Sequence, residues 1–312
     1  MLGDILSYRF GSHVSCQGGL LKAIERAEQV GCDCLQVFVC QPRQWPSSQG
    51  CIPVLPAPQI DSHAVDAVTL FTAQLRAKAI PAPLAHASYL INLASSDDAL
   101  WEKSLQALEV EWRRAESLEL SGLVLHPGSF LKSTLEAGVD RVVSAIDAML
   151  ERIQPRHCPL LLENTAGQGS CLGWRFEQLG WIFQRLERPD RVGVCFDTCH
   201  AFAAGYDFST AAKVKAMWAS FDECIGLERL KAIHINDSVK GLGSRVDRHA
   251  HIGQGAIGEA AFKHFLRSSP AKDLPMILET PKGIDPETGE DLDVQNLATL
   301  RRLAGTKARG GR

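Results

Sequence analysis

Pro83-Leu-Ala-His86, Leu123-Val-Leu-His126, Leu160-Leu-Leu-Glu163, Val194-Cys-Phe-Asp197, Ala232-Ile-His234 and Met276-Ile-Leu-Glu279 are short apolar runs, each closed by a side chain that can bind a metal ion. Runs of this length, bounded by turn residues, read as strands of a buried parallel sheet. A His or carboxylate at the end of such a strand leaves the core and enters its mouth. When several strands of one chain end this way, their ligands converge, as on the C-terminal face of a closed α/β barrel. The pattern predicts a TIM (β/α)8 barrel with a polynuclear metal site at the C-terminal face of the strands.

The rest of the chain is consistent with that reading. Strands are predicted near 8–13, 34–39, 82–86, 122–126, 159–163, 192–197, 231–236 and 275–279. Amphipathic helices are predicted near 19–30, 62–79, 99–119, 134–153, 174–187, 211–225, 259–267 and 291–303. Alternation of this kind gives one βα unit per interval, and a full set of such units closes a barrel more readily than an open sheet. No G-x-G-x-x-G follows the first strand, which counts against a dinucleotide-binding fold. A length of 312 residues suits one barrel domain. We expect that domain over 1–303, with 304–312 a basic, Gly-rich and disordered tail. Gln44–Pro58 and Lys240–Ile257 read as long βα loops, the places where barrel function concentrates.

Composition excludes several classes. A hydrophobic fraction of 45% and a charged fraction of 22% are those of a soluble globular protein. No signal peptide is evident at Met1 and no run reaches the length of a membrane span. The ten Cys have no small-scaffold spacing and no Cys-x-x-Cys, so we expect reduced thiols in a cytoplasmic protein. A net charge of −3 does not advertise nucleic-acid binding, but bound divalent cations would add positive charge outside that count.

His86, His126, His234, Glu163, Asp197 and Glu279 form a mixed N/O set suited to Zn, Mn or Fe(II). One His at a strand end is more often a hydrogen-bonded structural residue than a ligand. Six in register, with three carboxylates that would repel one another without cations, reverse that judgement. A second group lies outside the strands. His200 follows Asp197 by three residues, and Asp247-Arg248-His249 sits in the long second loop. In an extended segment Asp247 and His249 point the same way and Arg248 the other. His200, Asp247 and His249 thus make a candidate His2Asp site with an open position. A surface Asp–Arg–His hydrogen-bond network is the plainer alternative.

Longer strings carry a resemblance. Glu163-Asn-Thr-Ala-Gly-Gln-Gly-Ser170, Phe196-Asp-Thr-Cys-His200, His234-Ile-Asn-Asp237 and Gly243-Ser-Arg-Val-Asp-Arg-His249 closely resemble bacterial endonuclease IV, the apurinic/apyrimidinic endonuclease family 2. Gly11-Ser-His-Val-Ser15, Arg43-Gln-Trp45, His86-Ala-Ser-Tyr-Leu90 and His126-Pro-Gly-Ser129 match as well, so the likeness runs from about Arg9 to Leu300. The resemblance implies a TIM barrel with three Zn2+, for which Mn2+ or Fe2+ could substitute. It implies His86 and His126 at a first ion, Glu163 bridging to a second completed by Asp197, His234 and Glu279, and His200, Asp247 and His249 at a third. Glu163 and Glu279 would be the catalytic pair that holds the attacking hydroxide.

The activity implied is hydrolysis of the phosphodiester 5′ to an abasic site in double-stranded DNA, giving a 3′-hydroxyl and a 5′-deoxyribose phosphate. Removal of blocking groups from damaged 3′ ends would accompany it. Arg43, Tyr89 and Leu90 match positions inserted into the DNA minor groove, and Arg245 and Arg248 are expected at phosphates. No membrane is implied, and the chain is expected to act as a monomer. Ala87, Phe130, Pro42 and Ala250-His251 depart from the family pattern, Ala87 by removing an acidic side chain beside His86. Two rivals share these features: a xylose-isomerase-like sugar isomerase, which would not need the Asp247–His249 pair, and a non-catalytic damage-binding protein.

Overall fold

The computed structural model describes residues 8–46, 62–268, 270 and 272–306. The first half of the chain runs β1 (Arg9–His13), α1 (Leu20–Gln29), β2 (Cys34–Phe38), α2 (Ser62–Ala77), β3 (Leu84–His86), α3 (Asp98–Ser117), β4 (Leu123–Leu125) and α4 (Leu135–Ile153). Next come β5 (Leu160–Glu163), α5 (Phe176–Arg185), β6 (Val192–Asp197), α6 (Thr198–Ala204), α7 (Ala211–Cys224) and β7 (Leu230–His234). The chain closes with β8 (Asp237–Ser238), β9 (His249–Ala250), α8 (Gly258–Ser268), β10 (Pro275–Leu278) and α9 (Leu292–Ala304).

Strands β1 to β7 and β10 close into a parallel barrel in the order β1-β10-β7-β6-β5-β4-β3-β2. The predicted (β/α)8 barrel is therefore the fold. Local chemistry explains the helices. In α1 the buried residues Leu20, Ala23, Ile24 and Ala27 recur at helical spacing, so one face meets the sheet. Asp97, Thr134 and Thr210 cap α3, α4 and α7, each accepting from a backbone N–H three residues on.

Inside the barrel a small cluster holds one residue from each of seven strands: Cys34, Leu84, Val124, Leu161, Cys195, Ala232 and Ile277. β1 contributes Gly11 to this level. A Cβ there would lie 1.9 Å from the Cys34 carbonyl oxygen, so β1 and β2 can approach only because the side chain is absent. Side chains repeat every second residue along a strand. Two residues beyond this apolar layer stand His13, Gln36, His86, His126, Glu163, Asp197, His234 and Glu279. One full turn of the barrel mouth is thus polar.

The structure corrects some boundaries. His126 and Glu279 are the first residues past β4 and β10 rather than their last. The strand predicted over 231–236 stops at His234, and the chain turns into β8, which pairs antiparallel with β9. The short helix α6, capped by Asp197, follows β6 directly and carries His200. The expected tail lies outside the described residues from 307 on, as does the 47–58 part of the first long loop.

Candidate metal centre

Glu163 sits at the middle of the polar layer with no solvent exposure. Its Oε2 lies 2.9 Å from His126 Nε2 and 3.2 Å from His86 Nε2. Its Oε1 lies 2.9 Å from His234 Nδ1 and 3.2 Å from His200 Nδ1. Glu279 Oε2 is 3.2 Å from the same His234 nitrogen. The register places Asp197 directly opposite His234 on the neighbouring strand.

Three groups of possible ligand atoms result, each with its members within 4.8 Å of one another: His86, His126 and Glu163; Glu163, Asp197, His234 and Glu279; and His200, Asp247 and His249. The nine residues singled out in the sequence are all brought to this mouth. Asp197, Cys199 and His249 also fall within that distance. The Cys199 thiol, however, is pushed up to about 12 by burial.

The third group needs the long second loop folded back over the mouth. Asp237 anchors it: its carboxylate accepts from the backbone N–H groups of Ser238, Gly253, Gly255, Ile257 and Gly258. The β8–β9 pairing then delivers Asp247 and His249 to His200, whose Nε2 is 3.2 Å from Asp247 Oδ2. Arg248 is exposed, as alternation required.

Backbone carbonyls orient the imidazoles. His86 Nδ1 meets Ala87 O at 2.7 Å, His200 Nδ1 meets Asn164 O at 2.9 Å, and His249 Nδ1 meets Glu279 O at 3.2 Å. The Ala87 departure therefore costs His86 no orienting contact, because the carbonyl supplies it.

The electrostatics are those of a cation site. Burial pushes the Glu163 and Glu279 carboxyls up, but the surrounding imidazoles, His234 first, outweigh it and hold both well below the usual carboxylate range. Burial lowers His200 and His234, yet Asp197, Asp247 and Glu163 raise His200, and Cys195 followed by Glu279 and Glu163 raises His234, both well above the ordinary His value. Protons on imidazoles here balance buried carboxylates, as a bound cation would. The buried Nε2 of His249 has no hydrogen-bond partner. An orphaned nitrogen among carboxylates, in an N/O donor set, fits a divalent metal.

The remaining predicted residues ring the mouth. Tyr89 is 57% exposed, its ring 5.6 Å from those of His86 and Phe38, while Leu90 is half-buried. Arg43 is exposed in a turn. Ser88 Oγ donates to Pro42 O at 2.9 Å, so the Arg43 turn and the Tyr89 loop are tied together. The Arg245 guanidinium lies 4.1 Å over the Trp174 ring. A cavity of about 720 Å³ opens beside the second group, lined in part by His13, Phe38, Tyr89, Glu279 and Lys282.

Two residues of the polar layer escaped the sequence reading, His13 and Gln36. Gln36 is fully buried and touches both His234 and Glu279. Both lie two residues beyond the inward-facing Gly11 and Cys34, and Gln36 is a polar residue inside an apolar strand. That was the available signal.

Comparison with known proteins bears on what such a mouth does. A family described as "Xylose isomerase-like TIM barrel" matches residues 24–303. A protein named "Probable endonuclease 4" from Chloroflexus aggregans is 44% identical, covering 95% of this chain and 97% of that protein. Its namesake from Geobacter sulfurreducens is 42% identical, over 94% of this chain and 93% of that one. The crystal structure of endonuclease IV from Thermus thermophilus superposes with a TM-score of 0.77 at 37% identity, covering 96% and 99% of the two chains. A D-tagatose 3-epimerase-like protein, 18% identical with a TM-score of 0.65 over 96% and 97% of the chains, shares the fold. On the strength of these matches, the chain belongs to the endonuclease IV family of xylose isomerase-like TIM barrels.

Proposed function

We propose that this protein is a zinc-dependent endonuclease of DNA base excision repair. It hydrolyses the phosphodiester 5′ to an abasic site in duplex DNA and leaves a 3′-hydroxyl and a 5′-deoxyribose phosphate. The observation that carries the reading is the position of Glu163, fully buried and within 3.2 Å of four imidazoles that belong to all three ligand groups. We assign His86, His126 and Glu163 to a first Zn2+, Glu163, Asp197, His234 and Glu279 to a second, and His200, Asp247 and His249 to a third. Mn2+ or Fe2+ suits the same donors.

Bound, the cations supply charge that ionises water near neutral pH and offsets the charge building on phosphorus. Glu163 and Glu279, facing each other across His234 Nδ1, orient the attacking water and accept its hydrogen bonds. His126, 31% exposed, is the imidazole of the first group nearest solvent and marks where a phosphate enters. Asp247 and His249, delivered by the long loop to His200, would hold the cation that faces the leaving oxygen. Tyr89 and Leu90 fill the gap of the missing base, at a cost in unstacking that an abasic nucleotide keeps small. Arg43 enters the minor groove beside them, Arg245 and Arg248 contact phosphates, and the Trp174 ring holds the Arg245 guanidinium flat for that purpose. Cleaning of blocked 3′ ends, as 3′-phosphodiesterase or 3′-phosphatase, is the same hydrolysis at a terminal phosphate. The unit is one barrel domain, acting as a monomer in the cytoplasm. Among the described residues no helix is long and apolar enough to cross a membrane.

A sugar isomerase would have no use for the His200–Asp247–His249 group. The deciding experiment is incision of a duplex carrying one abasic-site analogue, before and after prolonged chelation and after Zn2+ is restored. A single nick on the 5′ side that chelation abolishes is expected. A zinc-replete protein that leaves this duplex intact overturns the proposal.

A further inference from the structure

His234 differs from the other oriented imidazoles of the mouth. His86, His200 and His249 each turn one ring nitrogen to a backbone carbonyl, an acceptor that no substitution can remove. For His234 that place is taken by a side chain: its Nε2 lies 2.9 Å from Gln36 Oε1. Its Nδ1 faces Glu163 and Glu279. The other end of the same amide also reaches the site, since Gln36 Nε2 donates to Glu279 Oε1 at 2.7 Å. Its second proton points to His13 Nδ1 at 3.0 Å, and His13 is the register partner of Gln36 on β1.

Donor and acceptor counting fixes the arrangement. An amide has one acceptor oxygen and two N–H donors. With the oxygen on His234, that ring must carry its proton on Nε2, which leaves the Nδ1 lone pair for the centre. With the two N–H groups on Glu279 and His13, the Oε1 oxygen of Glu279 is occupied and Oε2, the oxygen nearer His234 Nδ1, is left for the centre. His13 Nδ1 also lies 3.2 Å from Glu279 Oε1, so this ring stands against both the amide nitrogen and the carboxylate that the amide bridges. A flipped amide would set its oxygen against the Glu279 carboxylate oxygen 2.7 Å away, two acceptors face to face, so the alternative orientation fails at that contact.

We propose that Gln36 is the positioning residue of the second cation site. By bridging His234 and Glu279 it sets the tautomer of the one and the free oxygen of the other, and so presents two of the four donors in binding form. His13 locks the amide from behind. The inference rests on the assignment of Glu163, Asp197, His234 and Glu279 to one cation. Partners that orient metal-bound imidazoles contribute about 10–100-fold to metal affinity.

The test uses the full chain and reads the metal site apart from nuclease activity. Zn2+ affinity is measured by chelator competition, and the tautomer of His234 is read from long-range 1H–15N spectra of the Zn2+-loaded protein. Co2+ absorption spectra give a second view of the donor set. Gln36→Leu keeps the bulk and removes both contacts. It should weaken one Zn2+ by about 10–100-fold, leave the others, and lose the Nε2–H signature of His234. Gln36→Glu keeps an acceptor for His234 and should retain that signature. Wild-type affinity, Co2+ spectrum and tautomer in Gln36→Leu overturn the inference, as does loss of the signature in both variants. A wild-type protein that binds no Zn2+ at all overturns the metal assignment itself, a separate result.

Discussion

Replacing Glu163 by Gln keeps the side-chain volume and removes one negative charge from the most enclosed point of the centre. In the metal-free protein that charge is balanced by protons on the imidazoles around it, of which His200 and His234 are raised well above the ordinary value. Both rings are almost fully buried, so solvent cannot screen what the substitution leaves behind. Removing one partner of a buried ion pair costs about 3–5 kcal/mol. For a chain of this size each kcal/mol is about 2 °C, so metal-free Glu163→Gln should melt about 6–10 °C below the wild type near pH ~6, where the imidazoles are protonated. At pH ~8 the gap should shrink, because unpaired imidazoles can then release their protons. The same change takes a shared carboxylate from two cation groups, so incision of an abasic duplex should fall at least roughly 10³-fold. The assays are thermal melting after chelation at both pH values, metal content, and single-turnover incision. Unchanged melting together with near-normal incision at full metal content would refute the central place given to Glu163.

Other outcomes follow from the same geometry. His249→Ala should lower the single-turnover cleavage rate by more than it lowers DNA affinity, because on the proposed assignment its group faces charge that develops only at the leaving oxygen; equal losses in binding and rate would make the loop group a binding element only. Tyr89→Ala combined with Leu90→Ala should cut the preference for abasic over intact duplex by about tenfold, the scale of an interfacial aromatic anchor, with metal content unchanged; a preference ratio equal to wild type shows that these side chains only pack their loop. The metal-free and metal-loaded proteins should also differ in how stability depends on pH. The raised His200 and His234 stabilise the metal-free fold below about 6.5 and lose that contribution as pH rises through their folded values, while the depressed Glu163 and Glu279 contribute above about 4.5 and lose it on acidification. Chelated protein should therefore be most stable at mildly acidic pH, whereas loaded protein, whose ligands must be deprotonated, gains stability toward neutral pH; superimposable melting profiles would contradict the charge balance described.

The sequence alone determined the barrel, because a parallel strand buried on both faces must be apolar along its length and can change character only where it leaves the core. That is why Leu-Val-Leu-His126 and Leu-Leu-Leu-Glu163 could be read without coordinates, and why six polar ends in register pointed to one mouth. The paired positions Asp247 and His249 were legible for the same kind of reason, two-residue alternation in an extended segment. What the sequence did not show was which nitrogen or oxygen each side chain presents. His126 and Glu279 are carried by the first loop residue rather than the last strand residue, an outcome of where hydrogen bonding to the neighbouring strands stops. The β8–β9 ribbon and the Asp237 anchor that fold the long loop over His200 depend on contacts between distant residues. Gln36 and His13 complete the polar layer only because β1 lies beside both β2 and β10, which sets Glu279 beside Gln36 and His13 although it lies more than two hundred residues from either in the chain. Strand character is a local property of side-chain periodicity and so is written in the sequence; ligand orientation is a property of neighbours brought together by barrel closure, and only the tertiary structure decides it.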